Sequence, residues 1–251
     1  SKILKIYVIL NTKIPLCTVI GDQQAALIGH QGGLVQNSLS ANFGTSGSIL
    51  YNAGTKPKII NGLISSILYS RKNKTIFMIE GTINACNSIF YHLEEKLKIS
   101  HNKMNWNKRT NGTKTDGIFI PGFNGLAAPY WKTGFGDIYI ELDDDPNQII
   151  RAAMESIVFL ANDIIKCLEN ANIPLAKKLT VSGGGARNSL LQFLADVTGR
   201  EINHCLVKDQ TATGVYILLN INDYNGNNIR RFDKKFFPKK QYNIIKKKEK
   251  W

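Results

Sequence analysis

The feature that most constrains this chain is one long amphipathic helix, predicted over residues 146–170. Asp145 stands before it as a cap, and Pro146 occupies the first turn, where a missing N–H loses nothing. Ile149, Ile150, Ala153, Met154, Ile157, Leu160, Ala161, Ile164 and Leu168 recur at helical spacing and form one apolar face. A face of that length must be covered by another layer of structure. The rest of the chain supplies one. Residues 179–182 read as a strand running into Gly183, Gly184 and Gly185, and residues 188–198 as a helix stopped by Gly199. A strand over 201–206 and a helix beginning near Thr211 follow.

Upstream, three strand-like segments occupy residues 40–51, 63–69 and 75–80, joined by short polar connections. The first has two apolar arms around a glycine-bearing turn, and the set reads as an antiparallel meander. Residues 84–98 carry Ile89, Phe90, Leu93 and Leu97 at helical spacing, and 101–115 read as a polar loop. Residues 117–121 read as a short strand, followed by a glycine-rich and aromatic loop to Trp131. The fold class predicted is α/β with an open mixed sheet, a three-strand meander followed by alternating helices and strands.

Near the N-terminus, residues 21–29 (Gly-Asp-Gln-Gln-Ala-Ala-Leu-Ile-Gly) lie between an apolar, strand-like run at 16–20 and good helix formers from Ala25. Asp22 is placed as an N-cap candidate. A carboxylate at such a turn is held on a rigid scaffold yet stays reachable. A capping role alone would equally explain it.

Composition excludes several classes. With 43% apolar and 20% charged residues, the 251-residue chain is an ordinary globular one, and no apolar run approaches the length of a membrane span. No signal-peptide pattern opens it, and Cys17, Cys86, Cys167 and Cys205 lack paired spacing, which suits buried free thiols in a reducing cytosol. The net charge of +13 suggests nucleic acid at first sight. Residues 230–251 alone carry ten Lys or Arg against two acids, however, and a terminal lysine run reads as a solvated end. No nucleic-acid motif accompanies it.

Two glycine turns carry chemistry. Gly44-Thr45-Ser46-Gly47 can present backbone N–H groups and hydroxyls to an anion, or be only a turn. Residues 181–188 place three glycines between a strand and a helix, where no Cβ obstructs a flat ligand and the helix start favours phosphate. The turn matches neither the dinucleotide fingerprint nor a Walker loop. His30, His92, His101 and His204 are scattered without metal-ligand spacing, and the metal ligands, if any, are unknown at this level. Phe123, Tyr130 and Trp131 could line a pocket or anchor their loop to the core.

In that order, residues 21–27, 44–47, 121–131 (Pro-Gly-Phe-Asn-Gly-Leu-Ala-Ala-Pro-Tyr-Trp) and 182–188 resemble the C-terminal half of the FGGY carbohydrate kinases. The Asp-Gln-Gln-Ala-Ala-Leu string and the Ala-Pro-Tyr-Trp loop resemble the branch acting on glycerol. The resemblance runs from about Ile14 to the end. It implies an actin-like, ribonuclease-H-like domain over residues 16–251, with residues 1–15 a remnant of the interdomain segment. It implies ATP and Mg²⁺ as cofactors, a small polyol such as glycerol as substrate, and a cytoplasmic location. A separate N-terminal half and a second copy of the chain are the implied partners. No membrane and no specific nucleic acid are expected. Asp22 would be the general base, Gln23 would contact the polyol, Gly44 and Thr45 would face the ATP phosphates, and Gly184 and Asn188 would hold the nucleotide. The alternative is a non-catalytic nucleotide-binding or interaction domain derived from such a kinase. Departures from the family pattern fall at Asn87 and Tyr91, where a Gly and a Gln are usual, and at Ser48, where an aromatic residue is usual. The connection after the helix that begins near Thr211 is also shorter than usual. The first domain, with its phosphate loop and its polyol-gripping Arg and Glu, has no counterpart in residues 1–15.

Overall fold

The computed structural model describes residues 5–9, 12–71, 73–205, 207, 209–221, 232–239 and 242–251. In chain order the elements are β1 (Lys5–Ile9), β2 (Thr12–Leu16), α1 (Asp22–Gln31), β3 (Leu39–Phe43), β4 (Gly47–Gly54), β5 (Ile64–Arg71) and β6 (Lys74–Ile83). Then come α2 (Ser88–Lys96), α3 (His101–Met104), α4 (Trp106–Thr110), β7 (Ile118–Ile120), β8 (Ile138–Ile140) and α5 (Pro146–Asn170). The last are β9 (Lys178–Ser182), α6 (Asn188–Thr198), β10 (Glu201–Cys205), α7 (Gln210–Leu219), β11 (Phe232–Phe236) and α8 (Tyr242–Lys250).

Seven strands form one mixed sheet in the order β11-β10-β9-β3-β4-β6-β5. β9 runs parallel to both β3 and β10, so β3 and β9 end at the same edge of the sheet. The expected α/β mixed sheet is therefore present, with one change. β5 lies outside β6 at the sheet edge, so β4 pairs with β6 and the chain order is not the spatial order. β5 has a ladder partner on one side only, β6.

The sheet separates two unequal cores. Leu39, Ala41 and Phe43 of β3, with Leu179 and Val181 of β9, point toward α5 and α6. The alternate residues Ser40, Thr180 and Ser182 point the other way, toward α1 and α7, because successive strand side chains alternate. There the apolar cluster is smaller: Leu27 and Ile28 of α1, Leu50, Leu68, Ile76 and Met78 of the sheet, and Ile217 and Leu218 of α7. α1 and α7 cross at two glycines. A Cβ on Gly29 would lie 2.1 Å from the Gln210 carbonyl oxygen, and one on Gly214 would lie 1.8 Å from that of Ala25. Nothing larger than glycine fits this crossing.

Helix α5 has the predicted bounds, and the Asp145 carboxylate accepts from Asn147 N–H at 2.9 Å. Helix α6 likewise spans its predicted residues, and Gly199 ends it in the left-handed conformation. The helix expected over 84–98 begins only at Ser88, because Cys86, Asn87 and Ser88 donate their backbone N–H groups to the Gly44–Thr45 turn.

Other expectations are corrected. Residues 17–20 belong to no strand; β2 ends at Leu16 and pairs with β1. Of the polar residues Asn11, Thr12 and Lys13, Asn11 lies outside the described residues and the other two begin β2. Asp22 does not cap α1. Gly21 takes that position and Asp22 is the first helical residue. Residues 101–110 contain α3 and α4, held by buried Met104 and by Trp106 stacked on Phe90 at 4.4 Å. β8, which no sequence pattern marks, pairs with β7. Of the four thiols, Cys86 and Cys205 are buried, whereas Cys17 and Cys167 are only partly so.

The basic C-terminus is not a loose solvated end. β11 pairs with β10, and α8 lies against α5. Lys247 and Glu155 form a buried ion pair, Arg151 Nε reaches the same carboxylate at 2.6 Å, and Trp251 stacks on Phe159 at 5.1 Å. Burial pushes the Lys247 ammonium below its usual range, with the Glu155 charge opposing that shift. A charge in such a place is held by its partners or not at all.

Candidate functional site

Two backbone turns converge at the edge of the sheet where β3 and β9 end. β3 passes through Gly44, Thr45 and Ser46 into β4. β9 passes through Gly183, Gly184 and Gly185 toward α6. Gly185 N–H donates to the Phe43 carbonyl at 2.7 Å and Asn87 N–H to that of Gly44 at 3.0 Å, so the two turns and the start of α2 are joined. The glycines differ in how far the backbone requires them. Gly183 has φ +102°, and a Cβ there would lie 2.3 Å from the Phe43 carbonyl oxygen. Gly184 is exposed with open space beyond it, and a Cβ there would come no nearer than 3.9 Å to a neighbour, Asn87 Nδ2.

Asp22 and Gln23 reach the same edge from α1. Asp22 is exposed, and its carboxylate accepts from Gln23 N–H at 2.8 Å. The Thr211 hydroxyl donates to the Asp22 carbonyl at 3.4 Å, tying the start of α1 to α7. Ser48, at the start of β4, donates to Gln23 Oε1 at 3.3 Å. This bond links the carboxylate-bearing turn to the strand that leaves the Gly44–Thr45 turn. Glu80 on β6 is a site neighbour that sequence reasoning misses. It is half-buried; burial raises its carboxyl above the usual range, the Thr82 hydroxyl bond opposes this and the Asp22 charge adds to it. Its only sequence signal is strand alternation, which is too weak to mark a site.

A buried pair lies beneath the glycine turn. His30, near the end of α1, has Nε2 2.6 Å from Ser182 Oγ, and both residues are buried. Burial pulls the His30 imidazole down to about 4, so it is neutral at ordinary pH. One helix thus carries Asp22 at its start and grips the strand of the second glycine turn near its end.

A cavity of about 410 Å³ opens beside Gly184, lined among others by Asn87, Tyr91, Glu94, His101 and Trp106. Asn87 and Tyr91, two of the departures from the family pattern, therefore share one cavity with Gly184. Asn188 does not line it. It opens α6 and faces a different hollow of about 330 Å³ with Asn111, Arg151 and Phe236, while Arg187 takes a place in the first cavity. A larger and mainly apolar cavity, about 640 Å³, lies behind Gly21 against Leu68 and Leu218. Among the described residues no cluster of three or more His, Cys, Asp or Glu could hold a metal. No described helix is long and apolar enough to cross a membrane.

The loop after β7 is an anchor rather than a pocket wall. Asp137 accepts from Gly122 and Phe123 N–H at 3.0 and 3.1 Å, and His92 Nε2 is 2.5 Å from its other oxygen. Burial alone would raise this carboxyl, but the His92 and Lys96 bonds outweigh it and hold it below its usual range. Phe123 stacks on His92 at 4.0 Å, Trp131 Nε1 donates to the Gly62 carbonyl, and the Tyr130 hydroxyl donates to Asp163.

A mixed sheet of this order, with glycine turns and a carboxylate at one edge, defines a domain of the actin-like, ribonuclease-H-like class. The match is more specific than that. Residues 39–222 match the model of the C-terminal domain of the FGGY family of carbohydrate kinases, and the chain belongs to that family. Glycerol kinase of Limosilactobacillus reuteri is 32% identical over 215 residues, covering 83% of this chain and 43% of that protein. Glycerol kinase of Clostridium beijerinckii is 33% identical over a stretch of the same length. The crystal structure of Plasmodium falciparum glycerol kinase with ADP superposes with a TM-score of 0.80 at 26% identity, over 94% of this chain and 49% of that one. Gluconate kinase of Lactobacillus acidophilus, at 20% identity and a TM-score of 0.76 over 96% of this chain and 49% of that one, shares the fold. The chain spans about half the length of the relatives it matches.

Proposed function

We propose that this chain is the C-terminal, nucleotide-binding half of an ATP-dependent polyol kinase, with glycerol as the substrate. On this reading residues 16–251 are the domain and 1–15 the remnant of the segment that led into it. The observation that carries the proposal is the convergence of Asp22 and Gln23 with the Gly44–Ser46 and Gly183–Gly185 turns at one sheet edge, held by the Ser48–Gln23 bond and the Gly185–Phe43 bond. Family membership and the glycerol kinase relatives support the substrate class.

The chemistry follows from the groups present. Asp22 takes the proton of the attacking hydroxyl as its oxygen bonds to the terminal phosphorus and ADP departs. Gln23 orients the polyol. Gly44 and Thr45 lie where the phosphates would approach, and Gly184 leaves room for the rest of the nucleotide. Bound Mg²⁺ would spread the triphosphate charge. With no cluster of ligands among the described residues, it would be held chiefly by phosphate and water. Asn188, exposed at the start of α6, would hold the nucleotide from the neighbouring hollow.

Two measurements test the proposal. Calorimetry with the chain alone should give an ADP dissociation constant of roughly 0.1 mM or weaker, because half a cleft leaves the ligand wet. Nanomolar binding would contradict the half-site reading. ADP release with glycerol should be absent for the chain alone and present when a matching N-terminal half is added. Positioning that the lone chain lacks is worth up to ~7–11 kcal/mol. In the reconstituted enzyme Asp22→Asn should keep ADP binding and lose at least ~100-fold in turnover; full turnover would remove Asp22 from its role.

A further inference from the structure

One buried contact joins the helix of Asp22 to the strand of the second glycine turn. Ser182 is the last residue of β9 and precedes Gly183, whose φ of +102° opens that turn. His30 Nε2 lies 2.6 Å from Ser182 Oγ, and the two residues are 2% and 4% exposed. The other ring nitrogen, Nδ1, is buried and has no partner among the described residues. A single hydrogen bond therefore orients the imidazole, and it reaches a residue 152 positions away in sequence.

Helix α1 cannot adjust freely around this contact. A Cβ at Gly29, next to His30, would lie 2.1 Å from the Gln210 carbonyl oxygen, so α1 is seated directly on the backbone of α7. At its other end the Thr211 hydroxyl donates to the Asp22 carbonyl. Asp22 and His30 stand about 12 Å apart along the axis of one helix. A rigid element of this kind carries a displacement from one end to the other. Burial alone does not call for a histidine here. Ala25, Ala26, Leu27 and Ile28 precede it on the buried part of α1, and a leucine at position 30 would be buried without desolvating a polar ring.

From this geometry we propose that His30 is a positioning residue. Its bond to Ser182 sets the register between α1 and β9, and so the place of Asp22 relative to the Gly183–Gly185 turn. The inference rests on the kinase reading of this edge and adds the residue that aligns its two parts. In that reading Asp22 takes a proton from the hydroxyl that attacks phosphorus, and a misplacement of about 1 Å can cost about 100-fold in rate. His30 and Ser182 are buried beneath the edge and act through the elements they join. Breaking their bond leaves the groups of the site present but out of line.

The link is tested first in the intact chain without ligand. The Gln23 N–H donates to the Asp22 carboxylate, so its amide resonance reports on that carboxylate. Ser182→Ala and His30→Leu should each shift this resonance. His30→Gln, whose amide can still bond Ser182, should restore it. Thermal melts check that each variant folds. A Gln23 resonance unmoved by Ser182→Ala, or moved as far by His30→Gln as by His30→Leu, would overturn the link.

The second arm measures turnover with the matching N-terminal half added. His30→Leu and Ser182→Ala should each lower kcat by about tenfold or more, while ADP dissociation constants stay within about threefold of the parent. The double variant should lose no more than either single one, because two residues acting through one bond are not additive. Loss of ADP affinity that matches the loss of kcat, or a double variant that loses the product of the two, would overturn positioning in favour of a general loosening of the fold. Full kcat in both single variants would overturn it as well. No turnover by the parent pair would remove the kinase reading and with it the catalytic use of the link, while the amide shifts would still decide whether the link exists.

Discussion

The two faces of the sheet solve the same burial problem differently. On the α5 face a 25-residue helix, α2 and α6 cover a continuous apolar cluster that reaches to Trp251 at the end of the chain. On the α1 face the apolar cluster is small, the buried strand residues include Ser40, Thr180, Ser182 and Asn203, and the two helices meet at glycine. The first face obtains its stability from area, and can yield where a side chain can move. The second depends on close backbone approach and on particular polar pairs, and it is the face that positions Asp22. Rigidity at the site thus comes from short-range fit rather than from a large core.

Substitutions can break this contrast, and the largest effect is expected where a charge is buried against α5. Glu155→Ala removes the partner of Lys247 and of Arg151 and should destabilise by about 3–5 kcal/mol in denaturant melts. A loss below about 1 kcal/mol would mean that α8 simply detaches. Next come paired glycine substitutions. Gly214→Ala would drive a Cβ into the Ala25 backbone oxygen and should cost about 3 kcal/mol, because neither helix can retreat without the other. Gly81→Ala, on β6 beneath α5, would meet only Ile164 side-chain carbons at 2.4 to 2.9 Å and should cost about 1–2 kcal/mol. Equal losses would erase the distinction between backbone-fitted and side-chain-fitted faces.

The smallest effect at neutral pH is also the most specific. His30 has a folded pKa of about 4 against 6.5 as its ordinary value. Between those values the unfolded chain holds a proton that the folded chain does not, so stability falls as pH drops through this window and levels off below it. The loss reaches up to about 3 kcal/mol near pH 4 and is nil above about pH 7. His30→Gln, which can still accept the Ser182 hydroxyl, should flatten that part of the stability profile. An unchanged slope would show that other groups set the acid sensitivity of this face.

Much of the architecture was legible because its signals are local. Asp145 and Pro146 at one end of α5, Gly199 after α6, and the strand-to-helix glycines each specify a backbone conformation within a few residues. The positions of Gly44 and Gly184 followed from the same logic, since a turn between two recognisable elements is placed by them, whereas Asp22 was placed only by the helix formers after it, no strand preceding it. What was not legible depended on distant partners. The lysines of α8 read as solvated until Glu155 is seen opposite them, 92 residues away from Lys247 in sequence. β5 has an ordinary strand pattern, and nothing local says that it sits outside β6. The cap at Gly21 rather than Asp22 is a displacement of one residue, below the resolution of pattern reading. Tyr91 and His101 share the cavity beside Gly184 only once α3 forms, and the sequence there reads as loop.

The parallel pairing of β3 with β9 has a consequence for the order of events in folding. Asn42 and Ser182 are register partners, yet about 140 residues separate them along the chain. Closing so long a loop is entropically unfavourable, and contacts of this separation form slowly compared with the β3–β4 hairpin or the helices. Each glycine turn can therefore adopt its own shape early, but the two cannot stand side by side until β9 has found β3. The edge that brings the two glycine turns together is an assembled feature, and it appears only when the long-range topology is complete.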